Sequence, residues 1–316
     1  MDAFNAIYTN DIQKLREYLA TGDVNVRNEK GMSLLHSAII FGNSQAFEAL
    51  IENFIDIDIK DNLGNTPVHY CVINNRLGFL KTLIRKGANL TIRNESGESP
   101  LYKASILGRT EIIYLFLETM KFDIYETNNN DETMFMALVR SRNLDLLRNT
   151  VLDDKIVNVK NYRGAAPLHI AAASGDLNVC SYLIENKAFV NIKNNDSETP
   201  LFYAVKYKNL DVIDILLKNG AIPDCKNKMN EGIFTDADPD VMNYAFEKMI
   251  KYRSMDYKKS FPLHYSIIIE DLQMVQNNLN ERTINIKDKY GYLPLDVANL
   301  INNPRILALF NNKNLK

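Results

Sequence analysis

Histidine is the residue type in this chain best suited to acid–base chemistry or metal binding, and the chain has four. His36, His69, His169 and His264 each stand last in a four-residue motif that predicts the start of a helix. Neighbouring copies should lie roughly 10 Å apart, the spacing of packed helices, whereas metal ligands lie about 2 Å from a shared ion. We therefore predict no metal site, and we expect each ring to bond to backbone groups between adjacent turns.

Carboxylates and thiols offer no better candidate for catalysis. The acidic cluster at 236–240 resembles turn residues and a helix cap. The cysteines Cys71, Cys180 and Cys225 are odd in number and irregularly placed, which predicts free thiols in a reducing compartment. No glycine-rich phosphate loop precedes a helix, and no nucleophile stands beside a recognisable base. We therefore predict that the protein is not an enzyme and uses no cofactor.

Asn or Asp recurs along the chain at a fixed interval. Seven such marker residues are separated by 33 or 34 positions: Asn28, Asp61, Asn94, Asn128, Asn161, Asn194 and Asn227. After two shorter steps the series resumes at Asp256 and Asp288. A constant period of about 33 residues is typical of a stacked repeat architecture.

The residues after each marker predict two short helices. Ser or Thr caps the first helix and Pro often opens it, as in Thr66-Pro67. Glycines such as Gly42 and Gly175 are suited to end it. A second apolar stretch follows with helical spacing, as at Phe47, Leu50 and Ile51. Short β-branched alternations then predict two-residue strands at Ile55–Ile59, Leu90–Ile92, Ile156–Val159, Val190–Ile192 and Ile284–Ile286.

This pattern resembles the ankyrin repeat, in which a β-turn and two helices recur with a Thr-Pro-Leu-His opening. Thr66-Pro67-Val68-His69 matches that opening closely, and so does Ala166-Pro167-Leu168-His169. The resemblance covers essentially the whole chain, in about ten units, and is to bacterial or viral ankyrin-repeat interaction proteins. It implies an all-α solenoid of stacked helix-turn-helix ankyrin repeats with short β-hairpin turns. It also implies a concave groove, lined by turn tips and first helices, that binds a partner.

The period divides the chain into parts of one expected solenoid over 1–316. We expect an N-terminal cap at 1–27, six regular repeats over 28–226, a degenerate repeat at 227–255, a repeat at 256–287 and a C-terminal cap at 288–316. The degenerate repeat has Gly232-Ile233-Phe234 in place of the opening motif, so we expect its first helix to be short. The fourth marker's repeat has Asp131 and Arg142 where the turn and the helix end usually require Gly.

The composition argues against nucleic acids and membranes as partners. The net charge of −2 gives no field that would attract nucleic acid. No run approaches 18 apolar residues, which predicts no membrane span. The N-terminus begins within a predicted helix, so we expect no cleaved signal peptide. We therefore predict a cytoplasmic protein, or one exported into a host cell without a classical signal peptide.

The candidate binding residues are at turn tips and at the ends of first helices. Apolar or aromatic side chains that the repeat does not require are typical binding anchors; these are Phe41, Leu63, Leu107, Tyr162 and Tyr207. The other candidates are Ile73, Glu95, Glu98, Glu132, Arg140, Arg163, Glu198 and Lys206. Because acidic side chains predominate at the middle tips, we expect the partner to present a basic segment.

These observations indicate a protein–protein interaction module that binds a partner protein in its concave groove without catalysis, as an effector or host-interaction factor. An alternative is a cytoplasmic inhibitor or immunity protein that masks a partner enzyme or toxin. An enzyme is less consistent with the sequence, because only residues 228–255 depart from the period and that segment is too short for a catalytic domain.

Overall fold

A computed structural model describes residues 3–53, 55–120, 123–149, 155–223, 225–235, 237–288 and 291–312. The chain divides into two compact units, Met1–Val151 and Leu152–Lys316. The described residues form helices and turns, which confirms the all-α fold class. None of the helices in these ranges is both long and apolar enough to cross a bilayer. The division into caps and repeats of a single solenoid stays a prediction.

The first unit is a stack of helix pairs. Its helices are α1 (Ala3–Tyr8), α2 (Ile12–Leu19), α3 (Leu34–Phe41), α4 (Ser44–Glu52), α5 (Pro67–Ile73), α6 (Leu77–Arg85), α7 (Pro100–Ile106), α8 (Thr110–Thr119), α9 (Met134–Ser141) and α10 (Leu144–Arg148). The odd-numbered helices are the first helices of their repeats, and each packs directly on the next. Among the second helices, α2 and α4 pack in this way, whereas the later ones lie farther apart. First helices therefore make the closer backbone contacts along this stack.

The second unit continues the pattern and then departs from it. A 3₁₀ helix at Ile156–Asn158 precedes α11 (Pro167–Ser174), α12 (Leu177–Glu185), α13 (Pro200–Lys206) and α14 (Leu210–Lys218). A longer helix, α15 (Pro239–Ser260), is followed by α16 (Pro262–Ile268), α17 (Leu272–Asn278), α18 (Pro294–Ile301) and α19 (Pro304–Asn312). Here α11 packs on α13, and α16 packs on α18.

Local sequence explains where most of the helices start and end. The Ser33 hydroxyl caps α3, and the Asn43 side chain accepts a hydrogen bond from the Ala46 N–H at 2.9 Å to cap α4. Gly42 ends α3 with φ of 68°, a left-handed conformation that favours glycine. Apolar side chains such as Leu35 and Leu50 are fully buried between the helices. Capping therefore sets the helix bounds, and burial between helices stabilises each stack.

The predicted two-residue strands are wrong. Ile156–Asn158 forms a 3₁₀ helix, and the other predicted segments are turns or irregular chain in the described residues. Polar side chains close these segments locally: Asp56 Oδ1 accepts from the Asp58 N–H at 3.0 Å, and Asn89 Oδ1 accepts from the Thr91 N–H at 2.9 Å. Such side-chain bonds compete with a strand ladder. Isolated antiparallel bridges form instead across the marker turns, at Arg27–Ser33, Thr127–Thr133 and Lys226–Gly232.

The degenerate repeat differs from its expected form. Residues 233–235 form a turn, and the described residues between Lys218 and Pro239 form no helix, so this repeat shows no first helix in them. Its second helix, α15, runs for 22 residues to Ser260. The backbone of Asp256 therefore lies inside a helix that runs across the expected boundary between 255 and 256. The sequence from 240 to 260 contains neither Gly nor Pro, so nothing ends the helix before Pro262.

Arg142 should be a site of backbone strain, as the sequence indicated. It ends α9 with φ of 59°, in the left-handed region that costs a residue with a Cβ roughly 1 kcal/mol. We expect Arg142→Gly to raise the free energy of unfolding by about 0.5–1 kcal/mol, measured by urea denaturation. Arg142→Ala keeps the Cβ and serves as the control. A stabilisation by alanine as large as that by glycine would contradict the strain and point to the arginine charge instead.

Candidate partner-binding surface

The marker residues hold the turn tips in shape. Asn28 Oδ1 accepts hydrogen bonds from the Lys30 and Met32 N–H groups, both at 3.0 Å. Asp61 Oδ1 accepts from the Leu63 N–H at 2.9 Å and the Asn65 N–H at 2.7 Å. The same pair of bonds recurs at Asn94, Asn128, Asn161, Asn194 and Asn227. An oxygen acceptor is required at this position, which explains why Asn or Asp recurs.

Backbone hydrogen bonds join neighbouring tips within each unit. In the first unit the Asn62 N–H donates to Lys30 O at 3.0 Å, and the Glu95 N–H donates to Leu63 O at 2.9 Å. In the second unit the Asn195 N–H donates to Arg163 O at 2.9 Å. Each unit therefore presents its tips as a row held by hydrogen bonds, not as independent loops.

The histidines connect successive repeats, as predicted. His36 Nδ1 accepts from the Ser33 N–H at 3.0 Å, so its Nε2 carries the proton that it donates to Asn65 O at 3.1 Å. His69, His169 and His264 bond in the same way to Glu98 O, Glu198 O and Tyr292 O. Burial lowers the pKa of His36 and His169 to about 4. With both ring nitrogens of His36, His69 and His169 engaged in backbone bonds, these three side chains hold the turns in place and are not placed for acid–base chemistry.

Apolar side chains are exposed at the first-helix ends of the first unit. Phe41 is 51% exposed at the end of α3, and Leu107 is 40% exposed just after α7. Tyr8, at the end of α1, is 67% exposed and meets the Phe41 ring edge to face at 5.2 Å. Tyr8 was not among the predicted site residues, although it lies one period of 33 before Phe41. Leu63 is also exposed, at a turn tip, so the first unit exposes apolar side chains both at its first-helix ends and at a tip.

The second unit exposes aromatic residues at equivalent places. Tyr162, at a turn tip, and Tyr207, just after α13, are about half exposed. The Arg163 guanidinium lies 5.3 Å from the centroid of the Tyr162 ring. Tyr203 packs near Tyr207, with 6.4 Å between ring centroids. This unit therefore has its own aromatic surface on the first-helix side.

The charged candidates are not all exposed. Glu98 was predicted at an exposed tip, but it is only 8% exposed, and its carboxylate lies 2.5 Å from Lys103 Nζ. Glu132 is half-buried and pairs with Arg140 at 2.6 Å. Since these two carboxylates already have cationic partners, they are poorly available to a basic segment. Glu95, Arg163 and Lys206 are exposed, whereas Ile73 and Glu198 are half-buried.

Glu98 should matter for stability more than for binding. Its carboxylate also accepts from Asn94 Nδ2 at 3.1 Å, so truncation leaves two partners without an acceptor. We expect Glu98→Ala to lower the free energy of unfolding by about 1–2 kcal/mol, measured by urea denaturation. Glu95→Ala removes an exposed carboxylate three residues away and should change stability by less than about 0.5 kcal/mol. Equal effects of the two substitutions would show that the Glu98 network contributes nothing.

Two of the three thiols are not placed to react, whereas Cys225 is half-buried. Cys71 and Cys180 are free and fully buried, and burial raises the pKa of both, that of Cys180 to about 12. Such thiols stay protonated at neutral pH and are poor nucleophiles. Across the described ranges no three His, Cys, Asp or Glu residues come together to hold a metal ion.

Comparisons with known proteins agree with this geometry. A family model described as ankyrin repeats (3 copies) matches residues 3–94 and 136–227. Among solved structures, the ankyrin repeat domain of Bcl-3, described as a unique member of the IκB protein family, is similar with a TM-score of 0.52 and 23% identity. That likeness covers 68% of this chain and 99% of the other, and at this identity it shows the fold alone. No curated protein matched.

The two matched ranges cover more than half of the chain and contain the bonds of His36 to Asn65 O and of His169 to Glu198 O. The chain therefore belongs to the ankyrin repeat family, whose repeats generally mediate protein–protein interaction.

Proposed function

We propose that this protein binds a partner protein through the turn tips and first-helix ends of its repeats, and that it performs no chemistry of its own. The observation that carries the proposal is the row of exposed apolar side chains at one repeat position: Tyr8, Phe41 and Leu107 in the first unit. The repeat fold does not need these residues, because their counterpart Asn74, one period before Leu107, is polar. Exposed aromatic and aliphatic clusters of this kind are typical of interaction sites.

The rigidity of the surface supports the same function. The tips are held by marker side chains and by bonds between neighbouring tips, so little conformational entropy is lost when a partner binds. Preorganisation increases affinity because less ordering is left for the binding step. A standard interface buries about 800 Å² on each partner, which is the area of several adjacent repeats.

Two roles use such a surface. As an effector or host-interaction factor, the protein would capture a host protein; as an inhibitor or immunity protein, it would mask an enzyme or toxin from its own cell. The partner's origin separates the two. The exposed Glu95 and the half-buried Glu198 favour a partner with a basic segment, although the pairing of Glu98 and Glu132 reduces the acidic charge on offer.

The test is affinity capture from host and source-cell lysates, followed by mass spectrometry. Wild type is compared with a variant in which Phe41, Leu107, Tyr162 and Tyr207 are all changed to Ala. The proposal expects a stoichiometric protein that the wild type captures and the variant does not, with unchanged helicity and melting. Capture of the same protein at the same yield by both would refute this binding surface.

A further inference from the structure

The described residues of the repeat that begins at Asn227 form no first helix. We call the position in the second unit that this helix would occupy, between α13 and α16, the vacancy. In the preceding repeat the first helix starts at Pro200, six residues after the marker Asn194, and ends at Lys206. The same positions after Asn227 are 233–239; of these, residues 233–235 form a turn, and Pro239 starts α15. Helix α15 packs against α14, as a second helix does, and also against α16. A first helix between α13 and α16 is therefore missing.

Two clefts lie beside this vacancy. One, of about 270 Å³, is bounded by Tyr203 and Lys206 of α13 and by Ile233 of the turn. The other, of about 370 Å³, is bounded by Tyr244 and Phe246 of α15 and by Ile268 at the end of α16. The side-chain oxygen of Asn243, which lines the second cleft, has no hydrogen-bond partner in the described part of the chain. Each cleft combines apolar walls with polar groups, as ligand-binding pockets do.

The clefts are acidic. Five carboxylates and two lysines line them, and one lysine, Lys208, is already paired with Asp238 at 2.8 Å. The remaining carboxylates belong to Glu198, Glu231, Glu247 and Glu270, against the single cation Lys206. The chain as a whole has a net charge of only −2, so negative charge is concentrated here.

In earlier repeats the carboxylates equivalent to those of Glu198 and Glu231 have a cationic partner, which these two lack. Both stand four residues after a marker, as Glu98 and Glu132 do, and each accepts from its marker Asn, at 3.0 Å and 2.8 Å. In the first unit the equivalent carboxylates are neutralised by Lys103 and Arg140 of their own first helices. Within the described residues Glu198 and Glu231 form no ion pair. Lys206, at the position equivalent to Arg140, is exposed and does not pair with Glu198.

We propose that this vacancy docks a short helical segment of a partner protein, and that a lysine or arginine of that segment pairs with Glu198 and Glu231. The segment takes the place of the missing first helix, with its apolar side against α15 and its cation where Lys103 and Arg140 lie in their own repeats. The inference rests on the proposed function, since it names one docking place and the chemistry of what fills it.

A peptide from this chain itself provides the probe. The segment 99–109, synthesised with blocked ends and a fluorophore, carries a first helix and the Lys103 that pairs with Glu98. We expect saturable binding to the full-length protein by fluorescence anisotropy, weaker at high salt because the charges are screened. Glu198→Gln with Glu231→Gln should weaken binding at least about fivefold, and so should a peptide with Lys103→Gln. Glutamine keeps an oxygen for the marker Asn, so the tips should stay folded.

The matched control removes the same charge elsewhere. Glu29→Gln with Glu48→Gln neutralises two exposed carboxylates of the first unit and should leave peptide binding unchanged. Equal affinity for wild type and the Glu198/Glu231 variant, or no saturable binding up to millimolar peptide, would overturn the inference. The proposed function and this inference can fail independently. Suppose that a captured partner is retained by the Glu198/Glu231 variant but lost when Phe41, Leu107, Tyr162 and Tyr207 are changed to Ala. That result would support the proposed binding surface and refute docking in the vacancy.

Discussion

Acidification from pH 6.5 to about 4 is expected to lower the stability of this protein by about 3 kcal/mol for each of His36 and His169. Burial lowers the folded-state pKa of both to about 4, against an unperturbed value of 6.5. For a base with a lowered pKa, the neutral form is the one that the fold stabilises. The unfolded chain therefore takes up protons first, between pH 6.5 and pH 4. The contribution of these two histidines to the free energy of unfolding is therefore fully present above about pH 6.5, and it is lost as the pH falls from 6.5 to about 4.

Urea denaturation at several pH values between 7.5 and 4.5 measures this effect. The Asp61 carboxylate, which favours the charged form of His36, opposes the burial without overcoming it. His169→Phe is the informative variant, because Phe202 occupies the same motif position in the next repeat. It should cost about 1–3 kcal/mol at pH 7, since Glu198 O loses its donor. It should also remove the part of the pH dependence of the unfolding free energy that His169 contributes. An unchanged pH dependence of the unfolding free energy in this variant would refute the assignment of that dependence to His169.

The second large effect is expected on partner affinity. Phe41→Ala with Leu107→Ala removes two exposed apolar side chains from the first unit. Each anchor of this kind contributes about 2 kcal/mol at a binding hot spot, so the double variant should weaken binding about 10²-fold or more. Because both side chains are 40% or more exposed, unfolding stability should change little. Calorimetric titration of the captured partner against wild type and variant gives the ratio of dissociation constants.

The second unit offers a control of matched chemistry. Phe189 and Ile222 are 63% and 40% exposed, one period apart, and lie between second helices and marker turns, away from the first-helix ends. Phe189→Ala with Ile222→Ala should leave affinity within about twofold. A loss as large as that of the Phe41 and Leu107 pair would move the binding surface to the other side of the repeats. Tyr162→Ala with Tyr207→Ala then tests separately whether the second unit takes part.

Much of the architecture follows from local signals in the sequence. The period, the helix caps and the histidine bonds each involve groups within one turn or between adjacent turns, so residue type and spacing predict them. The exposure of Phe41, Leu107 and Tyr207 also followed, because the repeat assigns those positions to solvent. Strand prediction failed where Asp56 and Asn89 close the chain on itself, since alternation alone does not reveal such competing bonds.

What the tertiary structure decided concerns which side chains meet, since residue type and spacing leave this open. Glu98 and Glu132 occupy the same repeat position as Glu198 and Glu231, and the motif treats all four alike. The structure separates them, because Lys103 and Arg140 reach the first two and no described cation reaches the others. The sequence likewise determined that the repeat after Asn227 is irregular, but not that α15 runs through Asp256 beside a vacant helix position. Helix capping depends on residues at fixed short spacings. The ion pairs depend on whether a side chain of the first helix reaches back to its own turn tip, and the vacancy depends on how whole helices pack.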